Sequence, residues 1–176
     1  MARGPAQFRE IWRIVKARRT FSAFDGEGAR RFGGRWNSPG TPMVYTSGAL
    51  SLAALELFVH LDPQEEPSDL IAIQALLPKN LPIESFEASV LPSNWRDLPP
   101  PDALRELGDR WVREARTPVL SVPSVIVPRE RNFLLNPLHP AIRRIRVVDW
   151  EPFTLDSRIL KRTAASPRKR RPAARA

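Results

Sequence analysis

Hydrophobic residues dominate the segment 48–61, which has the length of a helix. Its polar side chains are Ser51, Glu56 and His60, and the last two are spaced to share one helical face. The apolar residues fill one stripe (Leu50, Ala53, Ala54, Leu57, Leu61) and also the opposite side (Leu52, Leu55, Phe58, Val59). Because a helix that is apolar all round is a buried one, we predict a buried helix over residues 49–61.

Four other segments have a pattern that predicts regular structure. Residues 11–15 alternate loosely and predict a first strand with Arg13 on one face, whereas residues 70–77 form a continuous apolar run of strand length. Residues 142–148 alternate more clearly and predict a late strand. Residues 102–115 predict an amphipathic helix with Asp102 as its N-cap and with Leu104, Leu107, Trp111 and Ala115 along one face.

The intervening segments are rich in Gly, Pro and Arg. We predict loops over residues 17–32 and 131–140, and an irregular stretch over residues 82–101 that is anchored by Trp95. Residues 33–47 predict a glycine-hinged strand, a turn and a second short strand, and residues 119–127 a strand pair broken at Pro123-Ser124. Since the strands are short and β-α-β alternation is lacking, we predict a single α+β domain with a mainly antiparallel, twisted sheet around a cleft.

The basic residues of the chain are concentrated at its C-terminal end. The 176 residues carry a net charge of +9, but residues 161–176 contain seven basic residues and no acid, so residues 1–160 carry only +2. This end lacks apolar periodicity and cannot bury enough surface to order itself. We therefore predict one domain over residues 1–160, followed by a basic, disordered tail over residues 161–176.

The sequence lacks the residues that several kinds of chemistry require. The absence of cysteine excludes disulfides, thiol catalysis and Cys-ligated metals, and fits a cytoplasmic protein. The two histidines, His60 and His139, have no ligand spacing around them, and no glycine motif matches a phosphate-binding loop. No apolar run reaches the ~18 residues that a membrane-spanning helix needs. We therefore expect neither a metal cofactor nor a membrane span.

Arg35, Tyr45 and Glu56 remain as candidate functional residues, at spacings of ten and eleven. Glu56 is the most informative of them, because an ionised carboxylate on a buried helix is costly unless it is paired. A structural ion pair with Arg35 or Arg13 is the alternative explanation for it. Tyr45 can equally be a core residue, and Arg35 an exposed strand residue. Ser124 and Asn132 are further candidates, or else turn residues beside prolines.

Six short motifs in this order resemble the RES domain, the toxin half of RES–Xre toxin–antitoxin pairs. They are GGRWNSPG at 33–40, VYTS at 44–47, LELFVHL at 55–61, LPSNWR at 91–96, VPS at 122–124 and NFLLNPLHP at 132–140. The resemblance covers about residues 11–150. It implies that the Arg, Glu and Ser for which the family is named are Arg35, Glu56 and Ser124, with Ser121 as an alternative serine.

The resemblance also implies a fold and an activity. RES proteins resemble ADP-ribosyltransferases of the diphtheria-toxin type and degrade NAD⁺, and some attach ADP-ribose to a protein instead. An Xre-type helix-turn-helix antitoxin would cover the active site, a homodimer is plausible, and nucleic acid would be contacted only through the antitoxin. The sequence leaves open whether the acceptor is water, phosphate or a protein.

The chemistry of the candidate residues agrees with NAD⁺ as the substrate. Cleavage of the nicotinamide–ribose bond passes through an oxocarbenium-like state, which the carboxylate of Glu56 can stabilise. The ring of Tyr45 suits the cationic nicotinamide, and Arg35, with Arg13 as a second candidate, suits the phosphates or ribose. Ser124 and Asn132 can hydrogen-bond the ligand or an incoming acceptor.

A non-enzymatic nucleic-acid-binding module is the competing interpretation. Its support is the arginine-rich tail, because basic segments bind phosphate backbones. Against it, the first 160 residues carry only +2, and the tail lacks the interleaved aromatic residues that stack on bases. In this interpretation Glu56 would be merely structural.

Overall fold

Seven strands form one sheet in a computed structural model that describes residues 8–61, 68–156 and 158–159. The order across the sheet is β4-β5-β6-β2-β1-β3-β7. The strands are β1 (Phe8–Lys16), β2 (Val44–Ser47), β3 (Leu70–Pro78), β4 (Ile83–Ser85), β5 (Val119–Pro123), β6 (Arg131–Leu135) and β7 (Arg146–Phe153). All neighbours are antiparallel except β4 and β5, so the prediction of an α+β fold with a mainly antiparallel sheet is confirmed.

Three α-helices accompany the sheet within the described ranges. They are α1 (Glu27–Phe32), α2 (Leu50–Phe58) and α3 (Asp102–Glu114), and short 3₁₀ helices cover Ala17–Ser22, Ala88–Val90 and Pro140–Arg144. Helix α2 follows β2 directly and contacts β1. None of the helices in these ranges is long and apolar enough to cross a membrane.

Strand β1 joins β2 to the long strand β3 in the sheet. It pairs with β3 over its whole length, from Phe8 opposite Pro78 to Lys16 opposite Leu70, and meets β2 at Trp12. On the other side of β2, Ser47 lies opposite Asn132 of β6. The pairing of β1, β2 and β6 therefore brings residues that are far apart in sequence onto one region of the sheet.

The helix α3 and the sheet enclose the larger hydrophobic core. Trp111 and Leu104 of α3 are almost completely buried, as are Leu120 and Leu134 of the sheet. Trp36, from the segment that follows α1, belongs to the same core. The mid-helix residue Gly108 lies directly against the Trp36 backbone, so α3 supports the segment that carries the neighbouring Arg35.

The prediction that the helix at 49–61 is buried is only partly right. Helix α2 ends at Phe58, and Leu52 and Ala53 are its buried residues. Leu55 and Val59 are 38% and 53% exposed. For Val59 the reason is that it lines a cleft beside α2, where it faces open space instead of a neighbouring element.

Arg35 is not on a strand, contrary to prediction. Residues 33–43 have no regular structure, and the short strand β2 begins only at Val44. Residues 17–32, predicted as a loop, contain the Ala17–Ser22 3₁₀ helix and α1. Two glycines with positive φ, Gly26 and Gly33, flank α1 and end the helix on either side.

Several predicted boundaries are wrong in the C-terminal half. Residues 131–135, predicted as part of a loop, form β6, because β2 and β5 supply partners on both sides. The late strand is β7, and a 3₁₀ helix occupies part of the predicted range 142–148. Only Val119–Pro123 of the predicted pair at 119–127 is a strand, since the chain turns at Ser124.

Two details of the helix predicted at 102–115 also differ. Pro101 occupies the N-cap position and Asp102 is the first helical residue. Ala115 ends the helix in a left-handed conformation and is exposed, so it does not belong to the buried face. Trp95 is buried, as an anchor should be. The tail predicted at 161–176 lies outside the described residues.

Candidate active site

A cleft of about 1050 Å³ opens beside the central strands. Its walls come from β1, β2, β6, α2, the segment at residues 33–39 and the first turn of α3. Five of the candidate residues line it: Arg13, Arg35, Tyr45, Glu56 and Asn132. Its volume lies at the upper end of the range of small-molecule and cofactor sites, roughly 300–1,000 Å³.

Glu56 is held by neutral hydrogen-bond donors. Its Oε1 accepts from Ser124 Oγ at 2.9 Å and from Asn132 Nδ2 at 2.5 Å. Neither Arg35 nor Arg13 forms a salt bridge with it among the described residues, so the structural ion pair is not found. No donor in this part of the chain reaches Oε2, and this oxygen remains available to a ligand.

The direction of the serine hydrogen bond follows from its other partners. Ser124 is fully buried, and its Oγ accepts from the backbone N–H groups of Ile126 and Val127, both at 3.1 Å. A hydroxyl has one hydrogen and two acceptor lone pairs, so Ser124 can only donate toward Glu56. The other predicted serine, Ser121, instead accepts from Arg131 Nε at 3.0 Å.

Ser47 orients the amide of Asn132 and was missed in the sequence analysis. Its Oγ donates to Asn132 Oδ1 at 2.8 Å, which turns the NH₂ group of Asn132 toward Glu56. The two residues face each other across β2 and β6. Only this strand register relates them, because they are separated by 85 positions in the chain.

The hydroxyl of Tyr45 is used by the segment that carries Arg35. It accepts from the Trp36 N–H at 3.0 Å and donates to Asn37 Oδ1 at 2.7 Å. Burial strongly raises the pKa of Tyr45, so the phenol stays neutral at physiological pH. Gly34 is also fixed by this contact, because a Cβ at this position would lie 2.5 Å from the Tyr45 hydroxyl.

Arg35 is positioned by two backbone carbonyls. Its Nη1 donates to Trp95 O at 2.7 Å and its Nη2 to Asp97 O at 3.2 Å. Burial lowers the pKa of Arg35, and the negative charge of Glu56 counteracts this shift. Each of the two nitrogens retains a second hydrogen, so the guanidinium can still bind an anion.

Two further arginines lie at the cleft. Arg13 donates from Nη1 to Tyr45 O at 3.1 Å, and its buried Nε has no partner among the described residues. Burial lowers the pKa of Arg13 to about 10, so it remains charged at pH 7. Arg105 of α3, which was not predicted as a functional residue, donates to Gly34 O at 3.3 Å and pairs with Asp102 at 2.5 Å.

The Tyr45→Phe substitution should separate the role of the hydroxyl group from that of the aromatic ring. It keeps the ring but leaves the Trp36 N–H and the Asn37 carbonyl oxygen without their partner, which should cost about 1–3 kcal/mol of stability. Urea unfolding of both proteins measures this difference. Because the folded-state pKa of Tyr45 is raised above its unfolded value of about 10, the contribution is complete below pH 10 and is lost at higher pH. Equal stabilities at pH 7 would contradict this assignment.

The structure thus brings some predicted residues into direct contact and places others around the same cleft. Glu56, Ser124 and Asn132 are in mutual contact through Glu56, whereas Arg35, Tyr45 and Arg13 surround the same space. No group of three or more His, Cys, Asp or Glu side chains in the described ranges is arranged to hold a metal ion. Chemically, the arrangement offers a carboxylate with one free oxygen, an aromatic ring and several cations.

Comparison with known proteins identifies relatives over most of the chain. "Toxin Res" of Photorhabdus laumondii is 35% identical over 155 residues, which cover 86% of this chain and 97% of the relative. The "Prs ADP-ribosylating toxin" of a Sphingobium species is 35% identical over 157 residues, with the same two coverages. These relatives are bacterial toxins that span nearly the whole domain.

A solved structure shares the fold at lower identity. A chain of the crystal structure of the M. tuberculosis MbcT–MbcA toxin–antitoxin complex matches with a TM-score of 0.67, 15% identity and 90% coverage of both chains. The sequence model of the RES domain matches residues 10–156. The chain therefore belongs to the RES domain family, as its motifs predicted.

Proposed function

We propose that this chain is the toxin of a toxin–antitoxin pair and that it cleaves the bond between nicotinamide and ribose in NAD⁺. The observation that carries the proposal is the state of Glu56, whose carboxylate faces the cleft with Oε1 fixed by two neutral donors and with no arginine of the described residues paired to it. A charge held in this way is available to the positive charge that develops on the ribose during bond cleavage.

The other cleft residues have supporting roles in this reaction. The ring of Tyr45 contacts the nicotinamide, and Arg35 and Arg13 bind the phosphates or ribose. Ser124 is not a nucleophile, because both lone pairs of its hydroxyl are occupied and its hydrogen points to Glu56. Ser124 and Asn132 are therefore positioning residues that hold the carboxylate.

The acceptor in this proposal is water or phosphate. Nicotinamide leaves with the electron pair of the broken bond, an oxygen of the acceptor forms the new bond to the ribose carbon, and the proton of the acceptor goes to solvent. Water gives ADP-ribose and phosphate gives its 1″-phosphate. NAD⁺ is thus a substrate that is consumed in the cytoplasm, and its depletion arrests growth.

An Xre-type helix-turn-helix antitoxin is the proposed partner that covers the cleft. The rim of the cleft supports such contact, because Phe32, Leu98 and Val59 line it and are 78%, 81% and 53% exposed. Large apolar side chains clustered on a surface mark sites of protein contact. DNA would be bound through this antitoxin, and a homodimer of the toxin is compatible with the proposal.

Transfer of ADP-ribose to a protein is the second candidate function. It is favoured by the similarity to the Prs ADP-ribosylating toxin, of which this chain covers 97%. Both functions use the same carboxylate and release nicotinamide, so they differ only in the molecule that receives the ADP-ribose.

Incubation of the purified protein with NAD⁺ tests both functions. We expect chromatography to detect one nicotinamide for each NAD⁺ consumed, together with ADP-ribose in phosphate-free buffer and a phosphorylated product when phosphate is added. A lysate supplied with labelled NAD⁺ reports transfer to protein in a parallel assay. If neither assay releases nicotinamide, the proposed activity is wrong, whereas label on one protein without free ADP-ribose favours transfer.

A further inference from the structure

A second cavity of about 230 Å³ adjoins the cleft at β1, the 3₁₀ helix Ala17–Ser22 and α1. It shares Arg13 and Phe32 with the cleft, so the two spaces meet at these side chains. Its charged lining consists of Arg13, Arg19 and Arg31 and of Asp25 and Glu27. None of the roles assigned so far uses Arg19, Arg31 or Asp25.

The charges of this second cavity do not cancel internally. Glu27 is already occupied, since it accepts from Arg30 Nε at 2.6 Å and from Arg31 Nε at 2.9 Å. Both terminal nitrogens of Arg31 have no hydrogen-bond partner among the described residues, because its contact with Glu27 uses only Nε. Arg19 Nη1 lies 3.6 Å from the Cβ position of Gly28, which places this guanidinium against the first turn of α1.

Arg13 supplies the independent sign of a missing ligand. Its Nε is buried without a hydrogen-bond partner among the described residues, while its Nη1 is tied to the Tyr45 carbonyl. A buried donor left unpaired is costly, and the large majority of buried polar groups in proteins have a hydrogen-bond partner. A bound acceptor next to Arg13 would remove this cost.

We propose that the second cavity binds the phosphate of the adenylate half of a dinucleotide whose nicotinamide ribose lies at Glu56. This inference rests on the proposed function. Arg13 is shared by both cavities and can contact the pyrophosphate where it leaves the cleft, while Arg19 and Arg31 complete the set of donors. Guanidinium groups are the side chains best suited to such phosphate contacts.

The carboxylate of Asp25 favours a nucleotide over free phosphate as the occupant. Its Oδ1 accepts the backbone N–H of Glu27 at 2.8 Å, and the charged group also faces Arg13, whose pKa it raises against the effect of burial. Asp25 would repel a free dianion, but it can accept a hydrogen bond from a ribose hydroxyl beside the phosphate, as acidic residues do in dinucleotide sites.

The Arg19→Gln/Arg31→Gln double variant tests the assignment. We expect its KM for NAD⁺ and its Kd for ADP-ribose, measured by calorimetry, to rise at least about tenfold. Product inhibition by nicotinamide, which carries no phosphate, should stay within about twofold. Arg18→Gln/Arg113→Gln is the control, because it removes two exposed arginines that line neither cavity and leaves the contacts of Arg30 and Arg31 with Glu27 intact. Thermal melting verifies that both variants fold.

Three results would overturn the inference. The first is a control variant that loses as much affinity as the test variant. The second is unchanged ADP-ribose binding in the test variant, and the third is a higher KM for inorganic phosphate as the only effect. The third result would assign the cavity to the acceptor. A wild-type protein that binds ADP-ribose with this dependence on Arg19 and Arg31 but releases no nicotinamide would contradict the proposed reaction alone.

Discussion

Replacement of Glu56 by glutamine should abolish most NAD⁺ turnover while the protein stays folded. We expect the rate of nicotinamide release to fall by roughly 10²–10³-fold, the range observed when one preorganised electrostatic group is removed. Binding of NAD⁺ should change little, because the ground state of the substrate depends less on this negative charge than the oxocarbenium-like transition state does.

The hydrogen bonds of Glu56 explain why the variant should fold. A glutamine carbonyl can accept from Ser124 and Asn132 as Oε1 does, and its NH₂ group would take the place of Oε2 at the cleft. Removal of one member of a buried ion pair costs about 3–5 kcal/mol, but this penalty does not apply, because no salt bridge joins Glu56 to Arg35 or Arg13 in the described part of the chain.

Melting temperature and nicotinamide release should be measured on the same sample. Glu106→Gln is a suitable control, since it makes the same chemical change at an exposed position of α3 and should keep full activity. If the Glu56→Gln protein melts early but retains its activity per folded molecule, Glu56 is a structural residue and the catalytic assignment is wrong.

Glu56 can be identified from the sequence because it is the single charged residue in an apolar helical segment. Its setting is less visible, since Leu57 and Val59 line a cleft and Val59 is partly exposed there. A hydrophobic wheel cannot distinguish side chains that face a core from side chains that face an apolar cavity. The local pattern therefore predicts the helix and its carboxylate correctly but overestimates the burial.

The partners of Glu56 depend on strand register, which the sequence does not determine locally. Ser47 meets Asn132 because β2 and β6 are adjacent, although residues 131–140 read as a loop. Arg105 was missed for a related reason, because a single arginine on an amphipathic helix is typical of a solvent-exposed face. Its contact with Gly34 exists only because α3 packs beside the segment 33–37.

Arg35 illustrates the same limit at the level of the backbone. Its position was recognised through the glycines and the proline around it, yet the segment is held by side chains from elsewhere and not by a strand ladder. Asn37 is fully buried and donates to Ala29 O and Thr41 O, both at 2.9 Å. Tyr45 binds the same asparagine. These polar contacts replace the sheet hydrogen bonds that a predicted strand would have made.

The Gly108→Ala substitution should cause the largest loss of stability among the changes considered. A Cβ at Gly108 would lie 1.8 Å from the carbonyl oxygen of Trp36 and 2.8 Å from its carbonyl carbon. Backbone atoms cannot rotate away as the end of a side chain can, so α3 or the segment 33–37 must move. We expect a loss of about 3 kcal/mol or more, which corresponds to a decrease in Tm of roughly 6–12 °C for a domain of this size.

Gly28→Ala is the matched control for this prediction, because it adds the same methyl group to another helical glycine. The nearest atom to its Cβ position is Arg19 Nη1 at 3.6 Å, an ordinary contact with a flexible side chain. Alanine is the better helix former by about 1 kcal/mol, so this variant should be as stable as the parent or more stable. The folded fraction of Gly108→Ala should also turn over NAD⁺ more slowly, because a displaced Trp36 carries Arg35 away from the Trp95 and Asp97 carbonyls. If Gly108→Ala instead unfolds at the same temperature as Gly28→Ala, α3 does not support the segment that presents Arg35 to the cleft.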